Sequence, residues 1–152
     1  MATLAQQQLF RLLDRTPLGH LGLIDDAGRP EVLPIVFARV GETLFSPIDG
    51  KPKGTAPLAR LRYVERCPAV ALTLDHYAAD WRRLWWIKLD IQASVAVGQH
   101  PAWDAAVSAL LSKYPQYRET ALFKGEPTFV VMEWQRVRCW AAAEDGFAAI
   151  GL

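Results

Sequence analysis

Lys51-Pro52-Lys53-Gly54-Thr55 places two ammonium groups and a hydroxyl immediately ahead of a helix-forming stretch. The start of a helix has backbone N–H groups without intrahelical partners and a partial positive charge, so lysines there suit an anion, and a phosphate above all. Arg60, Arg62 and Arg66 follow, and Glu65 is the only acidic residue between 51 and 66. The same residues also fit a basic loop running into a solvated helix face, and local spacing does not choose between the two. A second concentration is Trp81-Arg82-Arg83-Leu84-Trp85-Trp86, within a chain that holds six tryptophans. Consecutive residues of a strand face opposite sides, so Trp85 and Trp86 cannot both enter one core. Either one packs inside while the other lines a pocket or a subunit interface, or both serve packing. Arg82 and Arg83 fit a cover over those rings or an acidic ligand.

Other chemistries lack their residues. His20, His76 and His100 share no metal-ligand spacing, and Cys67 and Cys139 stand far apart with no Cys-x-x-Cys, so no metal site is expected. Asp75-His76 is an acid–imidazole pair only in sequence, and no serine or cysteine completes a triad, so no catalytic acid, base or nucleophile is assigned. No Gly-x-Gly-x-x-Gly or Walker-type loop occurs. Over 152 residues, 17 Lys+Arg stand against 16 Asp+Glu, and a net charge of +1 argues against a nucleic-acid partner. A hydrophobic content of 51% with 22% charged residues excludes a disordered chain. No apolar run reaches the ~18 residues of a membrane span, and the N-terminus lacks the basic and apolar regions of a secretory signal. Two isolated cysteines fit a reducing compartment, and the cytoplasm is the expected location.

The elements that must position these residues follow from periodicity. Leu9, Leu12 and Leu13 share one face of a helix over 3–14, which closes before Pro17. Strands are predicted at 20–24, 32–39 and 43–46, joined by Asp25-Asp26-Ala27-Gly28 and by Gly41-Glu42 as a meander. Pro34 has no N–H for a ladder and disfavours a central place for the second strand. A helix capped by Thr55 carries Leu58, Leu61 and Val64 and ends at Pro68. Strands at 70–74, from about 85 to 97, and at 128–137 enclose a third helix whose apolar stripe includes Trp103, Ala106, Val107, Leu110 and Leu111. The expected architecture is α+β: a six-stranded antiparallel β-barrel with three short helices, in one domain covering 1–152. A barrel with one candidate phosphate site and an aromatic wall suits a flat ring system on a phosphorylated tail, such as a flavin.

The order of these segments has a family likeness. Gly-His-Leu-Gly-Leu-Ile-Asp at 19–25, Gly-Arg-Pro-Glu-Val-Leu-Pro-Ile-Val-Phe at 28–37, Leu-Phe-Ser at 44–46 and Lys-Pro-Lys at 51–53 come first. Leu-x-Arg-Leu-Arg at 58–62, Leu-Asp-His-Tyr at 74–77, Leu-Trp-Trp-Ile-Lys at 84–88 and Lys-Tyr-Pro-Gln-Tyr-Arg at 113–118 follow. Together they resemble the pyridoxamine 5′-phosphate oxidase-like superfamily of FMN-binding split barrels. Within it, the Asp-His-Tyr…Leu-Trp-Trp and Lys-Tyr-Pro-Gln-Tyr runs are most similar to the deazaflavin (coenzyme F-420)-dependent oxidoreductase branch.

The resemblance implies a homodimer with FMN or the deazaflavin at the subunit interface, transferring hydride to or from a small-molecule substrate. By position it makes Lys51 or Lys53, with Thr55, the phosphate ligands. Val32, Pro34, Ile35, Phe45 and Ser46 would run along the ring, Trp86 would contact it, and Trp140 would reach the partner subunit's site. Ile91 stands where relatives commonly have Gly, Tyr63 where many have Asn, and Cys67 where many have Asn, and the first of these bears on the pocket. The competing expectation is a non-enzymatic carrier or sensor of flavin or haem on the same barrel, with His20, His76 or His100 as the iron ligand in the haem version.

Overall fold

The structure is a computed structural model that describes residues 4–49 and 56–149. Helix α1 spans Gln6–Arg15, with Leu9, Leu12 and Leu13 buried on one face. Gln8 Oε1 accepts the N–H of Ala5 at its start. Helix α2 spans Ala56–Arg66 and α3 spans Trp103–Lys113. Among the described residues there are seven strands: β1 Gly19–Ile24, β2 Pro30–Ile35, β3 Ala38–Val40, β4 Thr43–Pro47, β5 Ala69–His76, β6 Trp85–Val97 and β7 Thr128–Ala141. They form one antiparallel sheet in the order β2-β1-β5-β6-β7-β4-β3.

The α+β class, the antiparallel sheet and the three helices match expectation, but the strand count is seven rather than six. The predicted strand over 32–39 is two strands, β2 and β3, that sit at opposite ends of the sheet. Accordingly the meander expected over 20–46 is two separate hairpins, β1–β2 and β3–β4. Side chains cause the break. The Tyr114 hydroxyl accepts the N–H of Phe37 at 3.1 Å and lies 3.0 Å from its carbonyl, while Ser46 Oγ donates to the carbonyl of Val36 at 2.8 Å. With those backbone groups satisfied, Val36 and Phe37 need no ladder.

That break also fixes the shape. Ile35 and Ala38 are three Cα steps apart, at most about 11 Å, yet they belong to the two edge strands. The sheet therefore curls until its ends meet at Val36–Phe37, although no hydrogen-bonded ladder closes it. Pro34 lies on an edge strand, where its missing N–H is harmless. The β1–β2 turn uses the Asp25 carboxylate, which accepts the N–H groups of Ala27 and Arg29, and Gly28 takes φ 77°.

Two apolar clusters result. The larger fills the curl with Leu21, Leu23, Phe37, Leu72, Leu74, Ile87, Leu89 and Val130, sealed by the leucines of α1. The smaller, with Phe45, Ala106, Leu110, Tyr114 and Phe129, lies under α3. Lys113 joins α3 to α1, because its Nζ donates to the carbonyl of Leu13 at 2.8 Å and lies 3.8 Å from the centre of the Phe37 ring.

Burial pushes the Lys113 ammonium down to about 8 from an ordinary 10.5, against the pull of Asp14, and pushes the Tyr114 hydroxyl up to about 12 from 10.0. Tyr117 shifts upward as well, through burial and then its hydrogen bond to Asp49. Between pH 8 and 10.5 the unfolded chain holds more protons at residue 113 than the folded one, so stability rises with pH there. The tyrosines act oppositely, since their contribution is intact below pH 10 and is lost as pH rises through their folded values. Urea midpoints are expected to climb from pH 8 to about 10 and then fall, the climb being on the order of 2 kcal/mol after partial solvent screening. Lys113→Met should abolish the climb and leave the fall. A climb that survives in Lys113→Met refutes the assignment.

Candidate functional site

The basic segment is sorted by what each arginine meets. Arg62 and Arg66 reach across to the β1–β2 turn, where both hold Asp26 at 2.6 Å. Their hydrogen bonds, Arg62 first, keep that carboxyl below the usual range despite the opposing effect of desolvation. These two arginines therefore serve a surface ion-pair network. Arg60 goes elsewhere. Its side chain joins the wall of a cavity of about 180 Å³ lined by Leu18, Pro34–Val36, Ser46, Pro47 and Asp49. Its Nε is buried and makes no hydrogen bond in the structure. Desolvation lowers the pKa of this guanidinium, opposed by the charge of Asp49.

The cavity forms where the sheet ends meet. Its floor is the Val36 break, its sides are the ends of β2 and β4, and α2 supplies Arg60. Ser46 is buried, and its proton is committed to the Val36 carbonyl, so toward a ligand its hydroxyl oxygen can only accept. Asp49 is fully buried and accepts the Tyr117 hydroxyl at 2.6 Å. A volume of 180 Å³ lies below the usual span of small-molecule pockets, roughly 300–1,000 Å³. It suits the anionic end of a larger ligand. A second cavity of about 260 Å³ shares Val36 and is walled by Pro17, Tyr114, Gln116, Tyr117 and Thr120.

Of the residues expected at a cofactor, Pro34, Ile35 and Ser46 come together in the Arg60 cavity. Val32, strongly exposed, lines a different groove of about 410 Å³ with Gly22, Ala71 and Gln92. Phe45 points away into the cluster under α3, where it meets Phe129 and His100 edge-on. Lys51, Lys53 and Thr55, with the expected helix cap, lie outside the described residues. Trp85 is buried and stacks with His76 at 6.3 Å, whereas Trp86 is half-buried on the opposite face and pairs in register with Trp140. Lys88 Nζ lies 4.7 Å from the Trp86 ring centre. Trp86 does not line the cavity, from which β1 and β5 separate it: Pro34 pairs with His20, His20 with Thr73, and Thr73 with Lys88, two residues from Trp86. Trp140, its register partner, is part-exposed.

Two of the three unusual positions, Ile91 and Tyr63, are accounted for by packing. Ile91 sits in the larger core cluster beside Val70, outside the Arg60 cavity, and Tyr63 packs on that cluster beneath Arg62. Arg82 is held by Asp80 at 3.0 Å. No group of three or more potential metal ligands forms among the described residues. Among them, too, no helix is long and apolar enough to cross a membrane. Sequence reasoning gave Asp49 and Tyr117 no role. The available signal was an acidic residue two positions before the Lys-Pro-Lys run, and a Lys-Tyr-Pro-Gln-Tyr segment at the end of α3.

No protein-family model matches the chain, and no curated protein matches it. Solved structures do. The chain aligns with a conserved hypothetical protein from Mycobacterium tuberculosis at 14% identity and a TM-score of 0.73, covering 92% of this chain and 86% of that one. It aligns with the haem storage protein HutZ from Vibrio cholerae at 17% identity and 0.66, covering 88% and 92%. A FAD-binding protein from Mesorhizobium loti matches at 16% and 0.65, over 91% and 93%. The fold is shared as well with a protein from Listeria innocua assigned as a pyridoxamine 5′-phosphate oxidase (16%, 0.58, 88% and 95%) and with an F420 reductase (19%, 0.61, 84% and 94%). At these identities the likeness is one of fold.

Proposed function

We propose that this chain, whose fold is that of the pyridoxamine 5′-phosphate oxidase-like split barrels, binds the phosphorylated tail of a flavin-type cofactor in the Arg60 cavity and acts as an oxidoreductase on a small organic substrate. The observation that carries this reading is the Arg60 Nε, a buried donor with no partner, on the wall of a cavity sized for an anionic end group. A buried cationic donor left unpaired is costly, and an anion satisfies both its charge and its geometry. FMN, or the deazaflavin coenzyme F-420, would supply hydride transfer at its ring. This chain's part is to hold the tail with Arg60, to offer the Ser46 oxygen as an acceptor, and to exclude water with Pro34, Ile35 and Pro47. Lys51, Lys53 and Thr55 are further phosphate partners in this reading.

The fold neighbours support both flavin and haem as ligands of such a barrel, since one is a FAD-binding protein, one an F420 reductase and one a haem storage protein. For this chain, flavin is favoured over haem by the histidines. None of the three lines the Arg60 cavity: His76 stacks on Trp85, His100 Nδ1 accepts the N–H of Ala102, and His20 stands opposite Pro34 and Thr73 on β1. Titrating the cofactor-free protein with FMN, coenzyme F-420 and haemin decides the matter. Saturable quenching of FMN or F-420 fluorescence is expected. A haemin Soret shift with neither flavin-type ligand bound overturns the reading in favour of a haem carrier.

The reading includes a homodimer. Trp86 and Trp140 do not line their own chain's cavity, and in this reading the part-exposed Trp140 serves the site of a second copy. Sedimentation should give the mass of two chains, and the mass of one chain removes these tryptophans from the site.

A further inference from the structure

We propose that the free edge of β6 at Val95 and Val97, with the groove beside it, is a docking site for an extended, uncharged peptide segment of a partner protein, which adds to the sheet as a further strand. The groove shares none of its described residues with the Arg60 cavity, and the site stands whether or not that cavity holds a cofactor.

Strand β6 outruns its neighbour. It has 13 residues against 8 in β5, whose ladder ends with Ala69 opposite Gln92. The chain enters β5 from α2 through Pro68, which has no N–H to extend that ladder. The Pro68 carbonyl takes the N–H of Ala93 at 2.8 Å, the last bond on this side among the described residues. Gly98 donates its N–H to the carbonyl of Pro127, so the even positions of this stretch turn toward β7 and the odd ones, like Ala93, turn away. The N–H and C=O groups of Val95 and Val97 therefore face outward, and no described residue pairs with them.

Free edges are ordinarily blunted. Strand β2 carries Pro30, Glu31 and Pro34, and β3 is three residues long with Arg39 at its centre. The stretch 94–97, Ser-Val-Ala-Val, has no charge, proline or glycine, and Val97 is 44% exposed. A groove of about 570 Å³ lies beside it, lined by 94–97 and by Gln99, His100 and Pro101. The edge thus sits in a recess rather than on a flat rim, and a recess admits one extended segment more readily than the edge of a second folded sheet. An antiparallel segment exchanges both bonds with Val95 and both with Val97. His100 Nδ1 accepts the N–H of Ala102, so the neutral ring carries its proton on Nε2 and brings a further donor to the groove. None of the described residues lining the groove is charged, so a charged side chain buried there loses water without gaining a partner. The segment is therefore uncharged where it pairs.

The probe is the peptide acetyl-Ser-Val-Thr-Val-Ser-amide, titrated into the isotope-labelled full chain and followed by amide NMR. Its controls are the same peptide N-methylated at its three central residues and a version with lysine in place of both valines. The unmodified peptide should shift the Val95 and Val97 amides, slow their hydrogen exchange, and bind about tenfold or more tighter than either control, the scale of a few backbone hydrogen bonds. Val97→Pro should abolish that binding at little cost in stability, because the N–H it removes lies outside the β6–β7 ladder. Equal affinities for the three peptides overturn the proposal even if Val97→Pro does not fold. So do shifts that leave Val95 and Val97 unmoved, undiminished binding by Val97→Pro, or no binding at millimolar peptide. Val95 and Val97 amides that are protected in the chain alone, and more so as its concentration rises, give the edge to a second copy and overturn it as well.

Discussion

Arg60→Ala is expected to weaken FMN binding by about 30-fold or more, the scale of losing one or two charge-assisted hydrogen bonds from a partly desolvated guanidinium. The size follows from where the side chain sits. Arg62 and Arg66 are exposed and already paired with Asp26, so their removal should change affinity little. Arg60 is the arginine that lines the cavity, and its Nε has no protein partner to give up on binding. Arg60→Lys keeps a charge but loses the planar fork, so it should recover only part of the affinity. Fluorescence titration of the three single arginine variants against the parent measures the effect, with thermal unfolding alongside. An Arg60→Ala protein that unfolds at the parent temperature and binds FMN as the parent does refutes the anion site. Equal losses at Arg60, Arg62 and Arg66 would instead mean a diffuse basic surface.

That contrast among three arginines shows what sequence can and cannot disclose. All three lie on one short helix and look equivalent as a basic run. They are separated by Asp26, 36 and 40 positions away in a turn of another strand pair, and by Asp49 at the end of a fourth strand. Local features read well because local chemistry causes them. Leu9, Leu12 and Leu13 mark the buried face of α1, Asp25 with Gly28 marks a turn, and adjacency puts Trp85 and Trp86 on opposite faces. Strand β4 was harder to read, because Leu44, Phe45, Ser46 and Pro47 are all buried. With both faces covered there is no polar alternation, so nothing in the sequence says that Ser46 turns toward the cavity and Phe45 toward α3. The break that makes seven strands of an expected six was equally out of reach, since the hydroxyl responsible sits 77 residues from Phe37.

Removing that hydroxyl should therefore have the largest effect on stability of any single atom named here. In Tyr114→Phe the ring still fills its place against Leu110 and Phe45, so the hydrophobic contribution is retained. What disappears is the acceptor for the Phe37 N–H and the donor shared by the carbonyls of Pro17 and Phe37, at 2.9 and 3.0 Å. Phe37 is fully buried, and each buried backbone group left without a partner costs about 1–3 kcal/mol. A loss of about 3 kcal/mol is expected, large against the 5–15 kcal/mol stability of a typical domain. The effect should also be directional. Pro17 follows α1 and Phe37 separates β2 from β3, so the Val36–Phe37 floor of the Arg60 cavity loosens with them. Urea unfolding should show the loss of stability, and hydrogen exchange should show it concentrated at residues 35–38 rather than along the β6–β7 ladder. FMN affinity should fall with it, because Ile35 and Val36 line the cavity. A Tyr114→Phe protein as stable as the parent would mean that Phe37 is satisfied by other groups, and that the break between β2 and β3 has a different cause.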